Sequence, residues 1–164
     1  MKRFLIRLCR PLSFLPALCM MYLIFTFSSQ TGDQSSALSL KVTKTVVTIM
    51  DKAMDEDWTE AEQEGKVKEY HYYVRKAAHM TEYCILAITI ALPLYVYGLR
   101  GFLLILVAGA ACILFAAGDE YHQSFVGGRG PSIKDVCIDS VGAFIGIMLT
   151  LLFSWIAMGG KKKL

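Results

Sequence analysis

Apolar residues are concentrated in four long windows along the chain, and the stretches between them are polar or charged. The windows run from about Pro11 to Phe27, Ala77 to Tyr97, Phe102 to Gly118 and Val136 to Met158. Each is close to the ~20 apolar residues that a helix needs to cross a bilayer, the first and third being short. The pattern therefore predicts an all-α integral membrane protein, a single domain over residues 1–164 built as a bundle of four transmembrane helices.

The longest polar stretch, Ser28 to Tyr73, separates the first two windows. Within it, apolar residues recur with one-sided helical spacing, at Leu38, Val42, Val46, Ile49, Met50 and Met54. This spacing predicts an amphipathic helix that lies on the membrane surface or caps the bundle. The acidic stretch that follows, residues 55–69, is typical of a solvated surface.

Composition supports a membrane protein and excludes one class of function. Hydrophobic residues make up 55% of the chain and the mean hydropathy is +0.46, which is high for a soluble domain. The basic residues flank the apolar windows, and the sequence has no phosphate-binding loop or dinucleotide fingerprint, so nucleic acid is not an expected partner. Five cysteines are interpreted as small apolar residues, because their count is odd and no pair has metal-ligand spacing: Cys9, Cys19, Cys84, Cys112 and Cys137.

Basic residues also predict the orientation in the membrane. Before the first window, in the second link and after the last window the chain carries eight basic residues and no acid: Lys2, Arg3, Arg7, Arg10, Arg100, Lys161, Lys162 and Lys163. By the positive-inside rule these segments are cytoplasmic. Both termini are then on the cytoplasmic side of the membrane, and the 28–73 loop and the connection at 119–132 are on the outer side.

The acidic residues divide into two groups. Nine of the fourteen lie between Asp33 and Glu69 in the outer loop. The other five sit at the outer ends of windows two, three and four, and they are Glu82, Asp119, Glu120, Asp135 and Asp139. The predicted topology therefore brings these five to one level of the bilayer.

Helical spacing predicts which of these residues face each other. Arg75, His79 and Glu82 follow i, i+4, i+7 on the second span, and Asp119 and Gln123 share a face at the end of the third, with His122 beside them. On the fourth span, a stripe at i, i+4, i+7 and i+11 is acidic at its outer end and glycine-lined deeper, where another helix can approach closely: Asp135, Asp139, Gly142 and Gly146. Three faces are expected to converge on one pocket.

Charged groups in a membrane are costly, and this argues for function. An ionised residue at mid-membrane costs at least ~2.5 kcal/mol, so such residues usually face a bundle interior and serve a site. The alternative is a buried salt-bridge network that only fixes helix packing. In that network the positively charged residues that neutralise the acids would be Arg75, Lys76, Arg129 and Lys134.

Three separated stretches carry a resemblance to a known family. "FSSQTGDQSS", "VRKAAHMTEY" and "GDEYHQSFVGGRGPSIKDVCIDSVGAFIG" resemble, in order and placement, the VanZ-like family of small bacterial membrane proteins associated with teicoplanin resistance. The resemblance covers about Phe25 to Gly146. It marks Arg75, Lys76, His79, Glu82, Tyr83, Asp119, Glu120, His122, Gln123, Arg129, Asp135 and Gly142. Asp139 departs from the family pattern, which commonly has asparagine there. The resemblance implies a function in the cell envelope and, in some members, low-level glycopeptide resistance.

The chemistry of this set favours a hydrolase or transferase acting on a lipid-linked or phosphate-bearing envelope substrate. Arg75, Lys76 and Arg129 would hold a phosphate. His79 or His122 would be the nucleophile or general base, oriented by Glu82, Glu120 or Asp119. Asp135 is a further candidate catalytic acid, and Tyr83, Asp119, Gln123 and Asp139 are candidate substrate contacts.

Three alternatives remain open from the residues alone. A divalent metal, with Zn, Mn or Fe preferred over Ca, would use His79, Glu82, Glu120 and His122. A non-catalytic accessory protein would use the same pocket to bind an envelope lipid or a lipoglycopeptide. A transporter is the third, although four spans without a pair of broken helices is small for a carrier.

Overall fold

The computed structural model of the chain describes residues 10–158. A short 3₁₀ turn, Arg10–Phe14, leads into the first of five α-helices. The helices are α1 (Leu15–Ser28), α2 (Gly32–Met54), α3 (Glu60–Val96), α4 (Gly101–Gln123) and α5 (Ile133–Met158). The all-α prediction is confirmed.

Four segments of this bundle are long and apolar enough to cross a membrane. They are Pro11–Ser28, Glu60–Val96, Gly101–Gln123 and Ile133–Ala157. The four-span prediction is confirmed, but two helices extend further than their apolar windows. Helix α4 continues to Gln123, five residues past Gly118, so the polar residues at its end belong to the bundle rather than to a loop.

Helix α3 is one continuous helix of 37 residues, Glu60–Val96. A capping box at Thr59 starts it: Thr59 Oγ1 accepts a hydrogen bond from Glu62 N at 3.4 Å, and Glu62 accepts one from Thr59 N at 2.8 Å. At 1.5 Å per residue such a helix is about 55 Å long, and the bilayer core is ~30 Å thick. The polar sequence of 60–73 predicts part of a loop, and this prediction is wrong. The structure makes it a helical extension of the second span.

The predicted amphipathic helix is confirmed as α2, and it packs along this extension. Thr43 and Val47 are buried on its packed face, and Val67 is buried on α3. Asp51 ties the two helices together, because it accepts hydrogen bonds from Trp58 N and Gln63 Nε2, both at 2.9 Å. The predicted apolar stripe lies mainly on the other face, where Leu38, Val42, Ile49 and Met54 are exposed.

The two ends of the bundle are defined by contacts between distant segments. At one end the hydroxyls of Ser13 and Tyr97 share a hydrogen bond and the Phe14 and Tyr97 rings lie 6.0 Å apart. The start of the first span and the α3–α4 turn with Arg100 are therefore on the same side, as the charge pattern requires. The other basic residues behind that prediction include Lys2, Arg3, Arg7, Lys161, Lys162 and Lys163, which lie outside the described residues.

Glycines allow α5 to pack closely against α3. A Cβ atom at Gly142 would collide with the Met80 carbonyl oxygen, and one at Gly146 would collide with the Cys84 carbonyl oxygen. The predicted glycine-lined stripe is confirmed. Behind it the core is apolar, with Leu86, Ala87, Leu104, Ala108, Cys112, Ala143 and Ile147 buried. The four described cysteines are free thiols, and Cys9 lies outside the described residues.

Gly142→Ala is expected to lower the free energy of unfolding by about 1–2 kcal/mol, within the ~1–3 kcal/mol range of overpacked cores. The reason is that the obstacle is Met80 backbone, which cannot rotate away. Thermal unfolding in detergent measures the effect. Gly118→Ala on α4 is the matched control, because its new Cβ would have no atom within 4 Å. Equal melting temperatures for the two variants would contradict the close α3–α5 contact.

Candidate functional site

A cavity of about 210 Å³ opens at the end of the bundle opposite the α3–α4 turn. It is bounded by the end of α1, the first turns of α2, the middle of α3 and the α4–α5 loop. Its lining residues are Phe27, Gln30, Ser35, Leu38, Ser39, Val42, Val74, Arg75, Ala78, His79, Glu82 and Arg129. The lining is therefore mixed, with apolar side chains beside a polar wall of two arginines, a histidine and a glutamate.

Helix α3 supplies the polar wall. Arg75, His79 and Glu82 all line the cavity, which confirms that they share a helical face. His79 Nδ1 is 3.5 Å from Glu82 Oε2, and His79 also interacts electrostatically with Asp139 and Arg75. A carboxylate next to Nδ1 orients an imidazole so that its other nitrogen is available for proton transfer.

Arg129 reaches the cavity from the α4–α5 loop. Its Nη2 donates to the Phe27 carbonyl oxygen at 3.5 Å, while Nε and Nη1 are buried without a hydrogen-bond partner. Burial lowers the pKa of the Arg129 guanidinium from its ordinary value, and the charge of Arg75 lowers it further, although nearby acids act in the opposite direction. Among the residues that the structure describes, neither arginine forms an ion pair. An anion in the cavity would satisfy both.

A backbone contact between distant segments holds this loop in place. Gly32 N donates to Gly127 O at 3.1 Å, and a Cβ atom at Gly32 would collide with Gly128 O. Gly128 has a φ of +76°, which favours glycine. The sequence "GGRGP" predicts a turn whose glycines allow tight backbone approach, but it does not predict "SSQTG" as the partner. The glycines of the two segments signal this close approach.

Lys76 and Asp135 form the closest ion pair in the described part of the chain. Lys76 Nζ is 2.6 Å from Asp135 Oδ1, so this pair joins α3 to the first turn of α5. The Lys76 ammonium also lies 5.4 Å from the centroid of the Tyr72 ring. Neither residue lines the cavity. Lys76 and Asp135 therefore form the kind of salt bridge that fixes helix packing. Arg75 and Arg129 do not take part in such a network.

Glu120 contacts the start of α5. Its Oε1 accepts a hydrogen bond from Ser132 N at 2.6 Å, and Ser132 Oγ accepts one from Asp135 N at 3.4 Å. Ser132 is thus the N-cap of α5. The buried Glu120 carboxylate therefore has a structural role, because it binds the backbone at the start of α5.

Four further predicted residues lie in the protein interior behind the cavity. Asp119, Gln123, Asp139 and Tyr83 are all buried. Gln123 Nε2 donates to Asp119 Oδ2 at 2.8 Å, which confirms their shared face. Tyr83 is 1% exposed, and its hydroxyl has no hydrogen-bond partner. Tyr83 interacts electrostatically with Asp119, Asp139 and Glu82, so these groups form one polar region that adjoins the cavity.

His122 lies apart from the polar wall. Its ring stacks against Phe25 of α1, with the centroids 4.3 Å apart, and its Nδ1 is buried without a partner. His79 lines the cavity and His122 does not. Between residues 10 and 158, no group of three or more His, Cys, Asp or Glu side chains is arranged to hold a metal ion. The metal set considered from the sequence is therefore not assembled there.

Sequence reasoning missed several residues of the cavity. Gln30, Ser35 and Ser39 line it, and Ser39 Oγ is 2.9 Å from Nε2 of His71, the one histidine that the predictions did not use. These residues belong to the polar stretch between the first two spans. Their helical spacing could have identified them, since Ser35, Leu38, Ser39 and Val42 share one face of α2.

Comparison with known proteins gives one match. A family model described as VanZ/LLP1 matches residues 13–154, which include every lining residue of the cavity. No curated protein and no solved structure matches the chain.

Proposed function

The chain belongs to the VanZ/LLP1 family, and from that membership and the cavity we propose that it is a cell-envelope membrane protein that binds a phosphate-bearing amphiphile and acts on it as a hydrolase or transferase. The observation that carries the proposal is the pair of arginines. Arg75 and Arg129 line one cavity without carboxylate partners, and Arg129 has two buried donors unsatisfied. Phosphate oxygens are the acceptors that match a planar guanidinium.

The apolar part of the cavity lining supports a lipid-linked substrate rather than a free anion. Phe27, Leu38, Val42, Val74 and Ala78 line the same cavity as the charged groups. A small molecule such as inorganic phosphate gains nothing from that surface. An amphiphile buries its apolar part there, which is worth about 25 cal/mol per Å² of apolar area removed from water.

The His79–Glu82 pair supports catalysis. A histidine oriented by a carboxylate beside a bound phosphate ester can transfer protons to or from the reacting oxygens. The lipid-linked substrate would be a precursor or component of the envelope. This role agrees with the teicoplanin tolerance that the resemblance to VanZ-like proteins implies, since teicoplanin acts on the envelope.

A non-catalytic accessory protein is the second candidate. It is favoured by the positions of Glu120 and His122, which serve the start of α5 and the contact with α1 instead of the cavity. In that case the cavity would bind an envelope lipid or a lipoglycopeptide, with the arginines as the main determinants of affinity.

Arg75→Gln and Arg129→Gln are each expected to weaken binding of phosphatidylglycerol at least tenfold, about 1.4 kcal/mol, relative to the wild type. The reason is that each change removes a guanidinium from the cavity. Native mass spectrometry of detergent-purified protein, titrated with phosphatidylglycerol, gives the apparent Kd.

Arg100→Gln is the matched control, because Arg100 lies at the opposite end of the bundle next to Tyr95. Competition with inorganic phosphate separates a free-phosphate site from a lipid site. Unchanged affinity in both cavity variants would refute anion binding by the arginines.

The cavity opens on the outer face of a bacterial membrane in this proposal. The orientation rests on the eight basic residues and no acid that the sequence places at the other side. A cysteine at Trp58 is expected to react with a membrane-impermeant maleimide in whole cells, and a cysteine at Lys162 only after lysis. The reverse pattern would refute the orientation.

A further inference from the structure

His71 contacts Ser39, a residue that lines the cavity, although His71 itself does not line it. Its Nε2 is 2.9 Å from Ser39 Oγ and 3.3 Å from the Ser36 carbonyl oxygen. The contact joins α2 to the extramembrane part of α3, and both side chains are half-buried. A serine hydroxyl at this distance from an imidazole has the geometry in which histidine removes the serine proton.

The cavity gives this hydroxyl access to a substrate. Ser39 is a lining residue, in common with Arg75 and Arg129, whereas His71 is not. The Ser39 hydroxyl would therefore face the bound group. His71 would lie on the side of Ser39 that is away from the cavity. Guanidinium groups that hold a phosphate ester also stabilise the charge that develops on its oxygens during attack.

We propose that Ser39 is the nucleophile of the reaction and that His71 is its general base. The inference rests on the proposed function, because the cavity must hold a phosphate ester. Ser39 Oγ attacks phosphorus, so an Oγ–P bond forms while the bond from phosphorus to the leaving alcohol oxygen breaks. The serine proton passes to His71 Nε2 and then to the leaving oxygen.

A water molecule, or an acceptor alcohol in a transferase, completes the reaction. Its oxygen bonds to phosphorus as the Oγ–P bond breaks, and its proton returns to Ser39 Oγ. His79, which lines the same cavity and lies next to Glu82, is placed to move this second proton. The two histidines thus have separate roles, one for each half of the reaction.

The competing role for the pair is a structural clamp between α2 and α3. Ser39 Oγ is also 2.9 Å from the Ser35 carbonyl oxygen and can donate to it. In a clamp, His71 would donate to Ser39 and to Ser36 O, and the serine would keep its proton. Chemical reactivity of Ser39 distinguishes the two roles.

A fluorophosphonate probe, applied to the full chain in nanodiscs, measures that reactivity. In the labelling reaction an Oγ–P bond forms, the P–F bond breaks and fluoride leaves with the serine proton passing to His71. We expect one adduct per chain, mapped to Ser39 by peptide mass spectrometry. His71→Gln, whose amide can keep the hydrogen bond, should slow labelling about 100-fold, as expected for loss of a general base.

Ser36→Ala is the matched control, since that side chain lies on the same helix but does not line the cavity, and it should label at the wild-type rate. Absence of a Ser39 adduct in the wild type would overturn the proposal whatever the variants do. Equal labelling rates in wild type and a monodisperse His71→Gln protein would overturn it too, and would identify a clamp. Neither result affects phosphatidylglycerol binding by the arginines, which tests the proposed function separately.

Discussion

Replacement of His79 by asparagine is expected to abolish the activity while the protein still inserts and remains monodisperse. His79 lines the cavity and is oriented by Glu82 at 3.5 Å, so its loss removes a proton-transfer group worth about 10²–10⁴-fold in rate. Glu82→Gln should have a smaller effect, because the imidazole stays in place. The measurement is the teicoplanin tolerance that the proposed function predicts for a bacterial host expressing each variant, normalised to protein abundance.

His122→Asn is the control for this experiment. It removes an imidazole that stacks on Phe25 and does not line the cavity, so tolerance should be retained. Full activity in a stable double variant of His79 and His122 would end the enzyme hypothesis. The accessory binder would then be the better account.

Lys76→Met is expected to lower the free energy of unfolding by about 3 kcal/mol. Its ammonium is 2.6 Å from Asp135 Oδ1 on another helix, and the change leaves that carboxylate without its cation. Breaking a buried pair costs about 3–5 kcal/mol. The lower value applies here because the Asp135 side chain is 34% exposed. Reversible unfolding in mixed micelles gives the measurement.

The double variant Lys76→Met with Asp135→Leu should recover most of this loss, since no charge is then unpaired. Lys66→Met is the control. Lys66 pairs with Glu69 at 3.6 Å on the exposed part of α3, and such surface pairs are worth about 0–1 kcal/mol. Losses that simply add in the double variant would show that Lys76 and Asp135 do not stabilise each other.

Local spacing was sufficient to predict the polar wall of the cavity. Arg75, His79 and Glu82 lie on one helix, so their common face follows from 3.6 residues per turn. The same holds for Gly142 and Gly146, whose small size signals where a neighbouring helix approaches. Such features depend on sequence separation within a single element.

Features that depend on contacts between elements could not be predicted in this way. The rotation of α4 about its axis determines that His122 meets Phe25, and spacing alone gives no neighbour for that face. The contact between Gly32 and Gly127 joins backbone to backbone, so the glycines indicate a close approach but not which segment is the partner. The extension of α3 was missed because 60–73 lacks the apolar run of a membrane span, although the Thr59–Glu62 capping box signals a helix start.

The contact between Gly32 and Gly127 also bears on the order of biosynthesis. Gly32 emerges from the ribosome soon after the first span, whereas Gly127 and Arg129 follow the third, and chains are made from the N-terminus at about 5–20 residues per second. The arginine-lined cavity therefore cannot assemble until three spans and the loop between α4 and α5 have been synthesised. A chain truncated before this loop would carry Arg75 and His79 but could not complete the cavity, so completion of the cavity is a late event in the synthesis of the chain.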